Sequence, residues 1–355
     1  MSQVVRYTRE DTIGVISIDY PPVNAMGHPV RAGLLEALQL GQADDQARVL
    51  LLVCEGRTFI AGADIREFGK LIQTPLLTEV VDALENSDKP VVAAIHGTAL
   101  GGGLETALGC HYRIALASAR VGLPEVKLGL LPGAGGTQRL PRLTGAEAAL
   151  DMITSGRFVA AKEALSLGIV DRVDEGADPK AAGLAYAREL AEQNAPVRRV
   201  RDLEDRLAAD RGSDVFDRVR AGLEKKAKGQ FAPFRCVDAV EAAVTLLFDE
   251  GLKRERELFG QCMESPQRAG LIHAFFAERE VAKVKGLSPD TPVRDVRKVG
   301  IIGAGTMGGG IAMNFANAGL PVTIVEVAQE ALDKGLGVIR RNYENSAKKG
   351  RISQQ

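Results

Sequence analysis

The chain has little of what marks a disulfide-bonded, metal-binding or membrane-spanning protein. Its four cysteines, Cys54, Cys110, Cys236 and Cys262, are widely scattered and form no CxxC pair. That argues against a disulfide framework or a zinc site and fits a reducing compartment. Four dispersed histidines build no HExxH or comparable set, so no metal is expected. Neither sign of charge dominates: 45 basic and 46 acidic residues nearly cancel, and nothing global points to nucleic acid or an anionic membrane. No apolar run reaches the ~18 residues of a membrane span. The opening MSQVVRYTRED has neither the basic nor the apolar region of a secretory signal. A soluble cytosolic or organellar protein is expected.

What is present is an alternation of strands, glycine-rich loops and helices. Residues 4–19 read as a β-hairpin turning near Asp11, and Pro21 and Pro22 end its second strand, because proline cannot donate to a ladder. Helical spacing follows over about 30–43. RVLLLVCEG and KPVVAAIHG are short, nearly continuous apolar runs, as expected of strands covered on both faces. Each is followed by a glycine-containing loop, the α/β layout in which ligands gather at the carboxyl ends of strands. From Gly145 to about Asn194 the pattern turns mostly helical. Residues 195–294 are rich in charge and amphipathic segments and read as a helical connector ending in the linker LSPDTPVRDVR. The chain thus divides into 1–194, 195–294 and 295–355.

The chemistry concentrates between His96 and Leu140. Glu105 follows Gly101, Gly102 and Gly103 at a helix start; Glu125 sits in GLPE; the stretch closes on the turn Gly133–Gly136. Alone, each glutamate reads as an ordinary helix-start or loop acid. Together they suit addition of water to an activated double bond, in which one carboxylate takes a proton from water and another gives one to carbon. Burial can keep one acid protonated beside an ionised neighbour. An enoyl thioester attacked at C3 also needs its developing enolate held by backbone N–H groups, and Ala61 in FIAGAD and Gly102 at the helix opening are the expected donors. His96 and His111 border buried strands and are read as structural, His28 is left unassigned, and the thiols as small core side chains.

FIAGADIREF, ALGGGLE and GLPEVKLGLLPGAGGTQRLPRLTG resemble the enoyl-CoA hydratase/isomerase (crotonase) family across about residues 1–190. The resemblance implies a crotonase-type spiral of ββα units, a coenzyme A thioester substrate, and hydration of 2-trans-enoyl-CoA. It puts Glu105 and Glu125 at the positions of the two catalytic acids and Ala61 and Gly102 in the oxyanion hole. Members that only isomerise the double bond often lose the first acid, so Glu105 favours hydration, with isomerisation as a possible addition. A non-catalytic, coenzyme-A-binding scaffold on the same fold is the alternative.

A separate unit opens at KVGIIGAGTMGGGIAMNFANAGLPVTIVEV: strand, glycine turn, helix, strand. Gly303 and Gly305 allow a tight turn and close approach of a pyrophosphate. Gly308 lets the helix pack on the strand, and Glu326 suits a ribose diol, favouring NAD over NADP. This is the first part of a Rossmann-type parallel sheet. It resembles the start of the 3-hydroxyacyl-CoA dehydrogenase family, in which Met307 would lie against the dinucleotide. A hydratase followed by a dehydrogenase resembles the type-1 peroxisomal bifunctional enzymes and the α-subunits of bacterial fatty-oxidation complexes, which pair with thiolase. Both peroxisome and bacterial cytoplasm fit. The dehydrogenase catalytic residues and second domain are expected beyond Gln355.

Overall fold

The computed structural model describes residues 4–67, 73–281, 283–284, 286–288, 290–350 and 352–353. Phe68 of the FIAGADIREF run and Pro289 of the expected linker lie outside the described residues. The described chain forms two units, Met1–Ala282 and Lys283–Gln355.

The first unit begins with the expected hairpin, β1 (Val5–Glu10) and β2 (Ile13–Ile18), antiparallel about Asp11, whose φ of 55° is left-handed. Then come α1 (His28–Ala43), β3 (Val49–Cys54), α2 (Leu77–Glu85), β4 (Val91–Ile95), β5 (Thr98–Leu100), α3 (Gly102–Gly109), β6 (Tyr112–Leu116) and β7 (Arg120–Gly122). A 3-10 turn, Glu125–Leu128, leads to α4 (Gly136–Thr144) and α5 (Ala146–Ser155). Next are β8 (Val159–Ala160), α6 (Ala161–Ser166), β9 (Arg172–Asp174) and α7 (Pro179–Glu192). The main sheet runs β1-β2-β3-β4-β6-β9, parallel from β2 onward; a smaller sheet is ordered β5-β7-β8.

Strand β3 shows why the apolar runs are continuous. Leu50, Leu52 and Cys54 enter one buried cluster beneath the helical layer, while Val49, Leu51 and Val53 enter a second cluster covered by Ala187, Leu190 and Ala191 of α7. A side-chain period of two with both faces covered leaves no position for a polar residue. Each such Leu or Val contributes roughly 1.5–3 kcal/mol over the exposed state.

The stretch expected to be a connector folds with this unit as far as Val281, the end of its last helix. It supplies α8 (Asp205–Asp210), α9 (Val215–Lys226), α10 (Ala232–Thr245), α11 (Phe248–Glu264) and α12 (Pro266–Val281). Cys236, Val237 and Val240 of α10 and Leu258 and Cys262 of α11 belong to the main core. Their charged faces are solvated, but their apolar stripes bury against the rest of the unit, so they extend it as well as connecting onward.

The second unit holds β10 (Val299–Ile302), α13 (Thr306–Asn317), β11 (Val322–Val325) and α14 (Gln329–Lys348), with β10 and β11 parallel. Among the described residues, no group of acidic, histidine or cysteine side chains could hold a metal, and no helix is long and apolar enough to cross a membrane.

Candidate active site

Glu105 projects from the first turn of α3 and is almost fully buried. Its Oε1 accepts hydrogen bonds from the Ala134 N–H at 2.7 Å and the Gly136 N–H at 2.9 Å. Both amides belong to the GAGG turn that opens α4, where N–H groups have no intrahelical acceptor. Glycine is required there: a Cβ on Gly136 would lie 2.8 Å from the same Oε1. Burial raises the proton affinity of Glu105, while the two amides and the Arg139 guanidinium oppose the rise. Arg139 is itself buried and held by Glu85 at 2.7 Å.

Glu125 begins the 3-10 turn after Pro124. Its Oε2 is buried and has no hydrogen-bond partner among the described residues. Its Oε1 lies 2.8 Å from the place a Cβ on Gly101 would occupy. Burial pushes this carboxyl well above the usual range, and the charge of Glu105 adds to the rise. The two acids therefore share a site with opposed environments. One is gripped by two N–H donors that favour its anion, and the other has one buried oxygen without a partner and only its own backbone to favour a charge.

The two expected backbone donors fare differently. Gly102 stands at the first position of α3. Ala61 does not face it: its N–H donates to the Val23 carbonyl at 3.1 Å. The register explains the offset. Ile60 pairs in parallel with Ala99, so three residues on, Ala63 falls opposite Gly102. A Cβ on Gly102 would sit 3.2 Å from the Ala63 nitrogen. Neither N–H has an acceptor among the described residues. The geometry thus pairs Gly102 with Ala63, two residues from the expected position, beside the two acids.

Sequence reasoning missed a third acid. Glu255, on α11, is buried; its Oε1 accepts from the Gly135 N–H at 2.7 Å, and its Oε2 from the Thr137 N–H at 3.1 Å and hydroxyl at 2.5 Å. The available signal was an acid on the apolar stripe of a helix, four residues after Gly251 and three before Leu258. Three histidines have carbonyl partners. His111 Nδ1 accepts from the Val91 N–H and its other ring nitrogen meets the Glu85 carbonyl, while burial lowers its pKa to about 4. His96 meets the Gly56 carbonyl, His28 the Thr74 carbonyl, and all four cysteines are buried and free.

In the second unit a glycine turn joins β10 to α13. Gly303 has φ +96°, Gly305 faces open space, and a Cβ on Gly308 would lie 1.9 Å from the Gly303 carbonyl oxygen. Glu326, at the end of β11, accepts from the Ala304 N–H at 2.8 Å and the Val327 N–H at 2.9 Å, which lower its pKa and keep it an acceptor. Met307 is exposed beside the turn.

Comparison with known proteins follows the same division. Residues 8–225 match the family model described as enoyl-CoA hydratase/isomerase, and residues 298–355 match that of the 3-hydroxyacyl-CoA dehydrogenase NAD binding domain. Peroxisomal bifunctional enzyme from Danio rerio is 42% identical over 347 residues, 96% of this chain and 48% of that protein. The Homo sapiens protein of the same name is 42% identical over 352 residues, 98% of this chain and 48% of its own length. The chain spans about half the length of the curated relatives it matches. Among solved structures, carnitinyl-CoA hydratase from Mycobacterium avium superposes with a TM-score of 0.58 at 27% identity, covering 78% of this chain and 97% of that one. The crotonase-type α/β fold expected from the sequence is the fold these proteins share.

Proposed function

The chain belongs to the enoyl-CoA hydratase/isomerase family, and on that premise we propose that it hydrates 2-trans-enoyl-CoA to 3-hydroxyacyl-CoA in fatty-acid β-oxidation. The observation that carries the reading is the opposed setting of two neighbouring carboxyls: Glu105 on two amides, Glu125 with a buried oxygen left unpartnered. Glu105 takes a proton from water as the water oxygen bonds to C3. The C2–C3 π electrons move to C2 and onto the thioester oxygen, where the Gly102 and Ala63 N–H groups receive the enolate. The electron pair then returns to take a proton at C2 from Glu125. Preorganised donors of this kind are worth ~3 kcal/mol each in the transition state, and general acid–base participation contributes roughly 10²–10⁴-fold. Isomerisation of a 3-enoyl thioester would need only the enolate site and proton transfer by Glu125.

The second unit is proposed to hold part of an NAD site. Gly303, Gly305 and Gly308 would admit the pyrophosphate, Met307 would flank the dinucleotide and Glu326 would accept from the ribose diol. NAD, when bound, supplies a hydride acceptor for 3-hydroxyacyl-CoA. The names of the relatives support a peroxisomal setting and a bifunctional whole. A thiolase partner, expected from resemblance to the bacterial α-subunits, is tested by copurification.

The deciding experiment is incubation of the full 355-residue chain with crotonyl-CoA, following loss of the enoyl-thioester absorbance and the mass of the product. A gain of one water supports hydration. Binding with no turnover would instead identify a coenzyme-A-binding scaffold.

A further inference from the structure

The turn that holds Glu105 is held from both sides. Four consecutive amides, Ala134, Gly135, Gly136 and Thr137, donate alternately to Glu105 and Glu255. The Thr137 hydroxyl donates to Glu255 as well, and in turn accepts from the Gln138 amide at 2.9 Å. One face of α11 makes this contact. Gly251, Glu255 and Phe259 recur every four residues, and each has a close neighbour at the turn or the start of α4. A Cβ on Gly251 would lie 2.1 Å from Gln138 Oε1, and one on Gly133 would lie 2.6 Å from the Phe259 ring. Residue 255 lies beyond the part of the chain that matches the hydratase/isomerase family.

We propose that Glu255 is a positioning residue for the hydration reaction: from α11 it takes the two amides that Glu105 leaves open, fixes the Gly133–Thr137 turn, and so fixes the Glu105 carboxylate against its substrate. The inference rests on Glu105 being the group that activates water. An unanchored turn would let Glu105 drift with it, and displacement by about 1 Å is enough to cost on the order of a hundredfold in rate.

Glu255 also brings a charge that can be read. It faces Glu105 from α3, Arg139 from α4, and the Asp82 and Arg256 side chains that share its cleft, and it acts in turn on Glu125. Burial, and then the charge of Glu105, push its pKa up to about 8, against the Thr137 and Gly135 donors and Arg139. Below that pH the turn carries a neutral Glu255. Above it, the Glu255 anion would oppose the developing enolate.

The test uses the full chain, with kcat and KM for crotonyl-CoA measured across pH in Glu255→Gln and Thr137→Val. Glutamine keeps one acceptor and removes the charge. Valine keeps the amide and removes the hydroxyl that stabilises the Glu255 anion. Glu255→Gln is expected to lower kcat between about ten- and a hundredfold with KM within about twofold, and to abolish the alkaline fall near pH 8. Thr137→Val is expected to shift that fall to higher pH, because the anion loses a donor. A purely structural contact would change melting temperature and leave the alkaline limb in place. If Glu255→Gln does not fold, Thr137→Val decides alone. Wild-type kcat or an unmoved limb overturns the proposal, provided Glu105→Gln is inactive; turnover in Glu105→Gln would instead overturn the hydratase reading itself.

Discussion

Replacing Glu105 by glutamine and by alanine separates catalysis from stability. Glu105 Oε1 takes two amides, from Ala134 and Gly136. In Glu105→Gln the side-chain carbonyl oxygen can occupy the same point, so both amides stay satisfied. What is lost is the proton acceptor. General-base participation is worth about 10²–10⁴-fold, so kcat should fall by that factor, roughly 3–5 kcal/mol of barrier. Stability should change little, because weaker neutral hydrogen bonds are offset by no longer burying an anion. In Glu105→Ala both amides lose their acceptor inside the protein. Each unpaired buried donor costs about 1–3 kcal/mol, so roughly 2–6 kcal/mol is expected in all. At about 2–4 °C per kcal/mol for a large domain, melting should drop by roughly 5–20 °C. The assays are crotonyl-CoA hydration and thermal unfolding of the same preparations. Near-wild-type turnover in Glu105→Gln, or a rise in KM with kcat intact, would refute the assignment. Equal melting temperatures for the two variants would refute the account of the turn.

Glu125→Gln should lower kcat by a similar factor while leaving melting nearly unchanged, because one neutral buried group with a partnerless polar atom replaces another; a drop in melting temperature of several degrees would argue against that neutral burial. The Glu255 carboxyl, raised from 4.5 to about 8, binds its proton more tightly in the folded state. Its contribution to stability is therefore largest below about pH 4.5 and declines as pH rises to about 8. Glu255→Gln should flatten that decline in melting temperature against pH, and an unchanged slope would count against the shift. Gly103→Ala places a Cβ 2.1 Å from the Ile60 carbonyl oxygen, a backbone atom that cannot rotate away. Denaturant unfolding should show a loss of about 3 kcal/mol or more, and tolerance would mean that the segment through Ala63 does not pack on α3 as described.

What could be read from the sequence, and what could not, divides by the range of the interaction. β3 and β4 announce themselves because five or six apolar, Val-rich residues in a row, each run closed by a glycine-containing loop, have the length and flanks of a strand covered on both faces, a local signal. Glu105 and Glu125 are legible for the same reason, each beside glycine or proline that shapes its own turn. The sequence points to Ala61 and not Ala63 as an oxyanion donor because a loop sequence does not tell which of two nearby N–H groups turns inward. That choice is made by the parallel pairing of Ile60 with Ala99, a contact between separate segments. Glu255 is further from view: 120 residues separate it from Gly135, and its stretch reads as solvated charge. Yet a buried carboxyl on an apolar helical stripe needs donors, and a GAGG turn at a helix start has amides in excess of what one glutamate can accept. Each feature supplies what the other lacks. The helices after residue 195 therefore belong in any description of this site, since a unit cut at the end of the ββα pattern would leave Gly135 and Thr137 with no acceptor for their amides and Glu105 on a turn anchored from one side only.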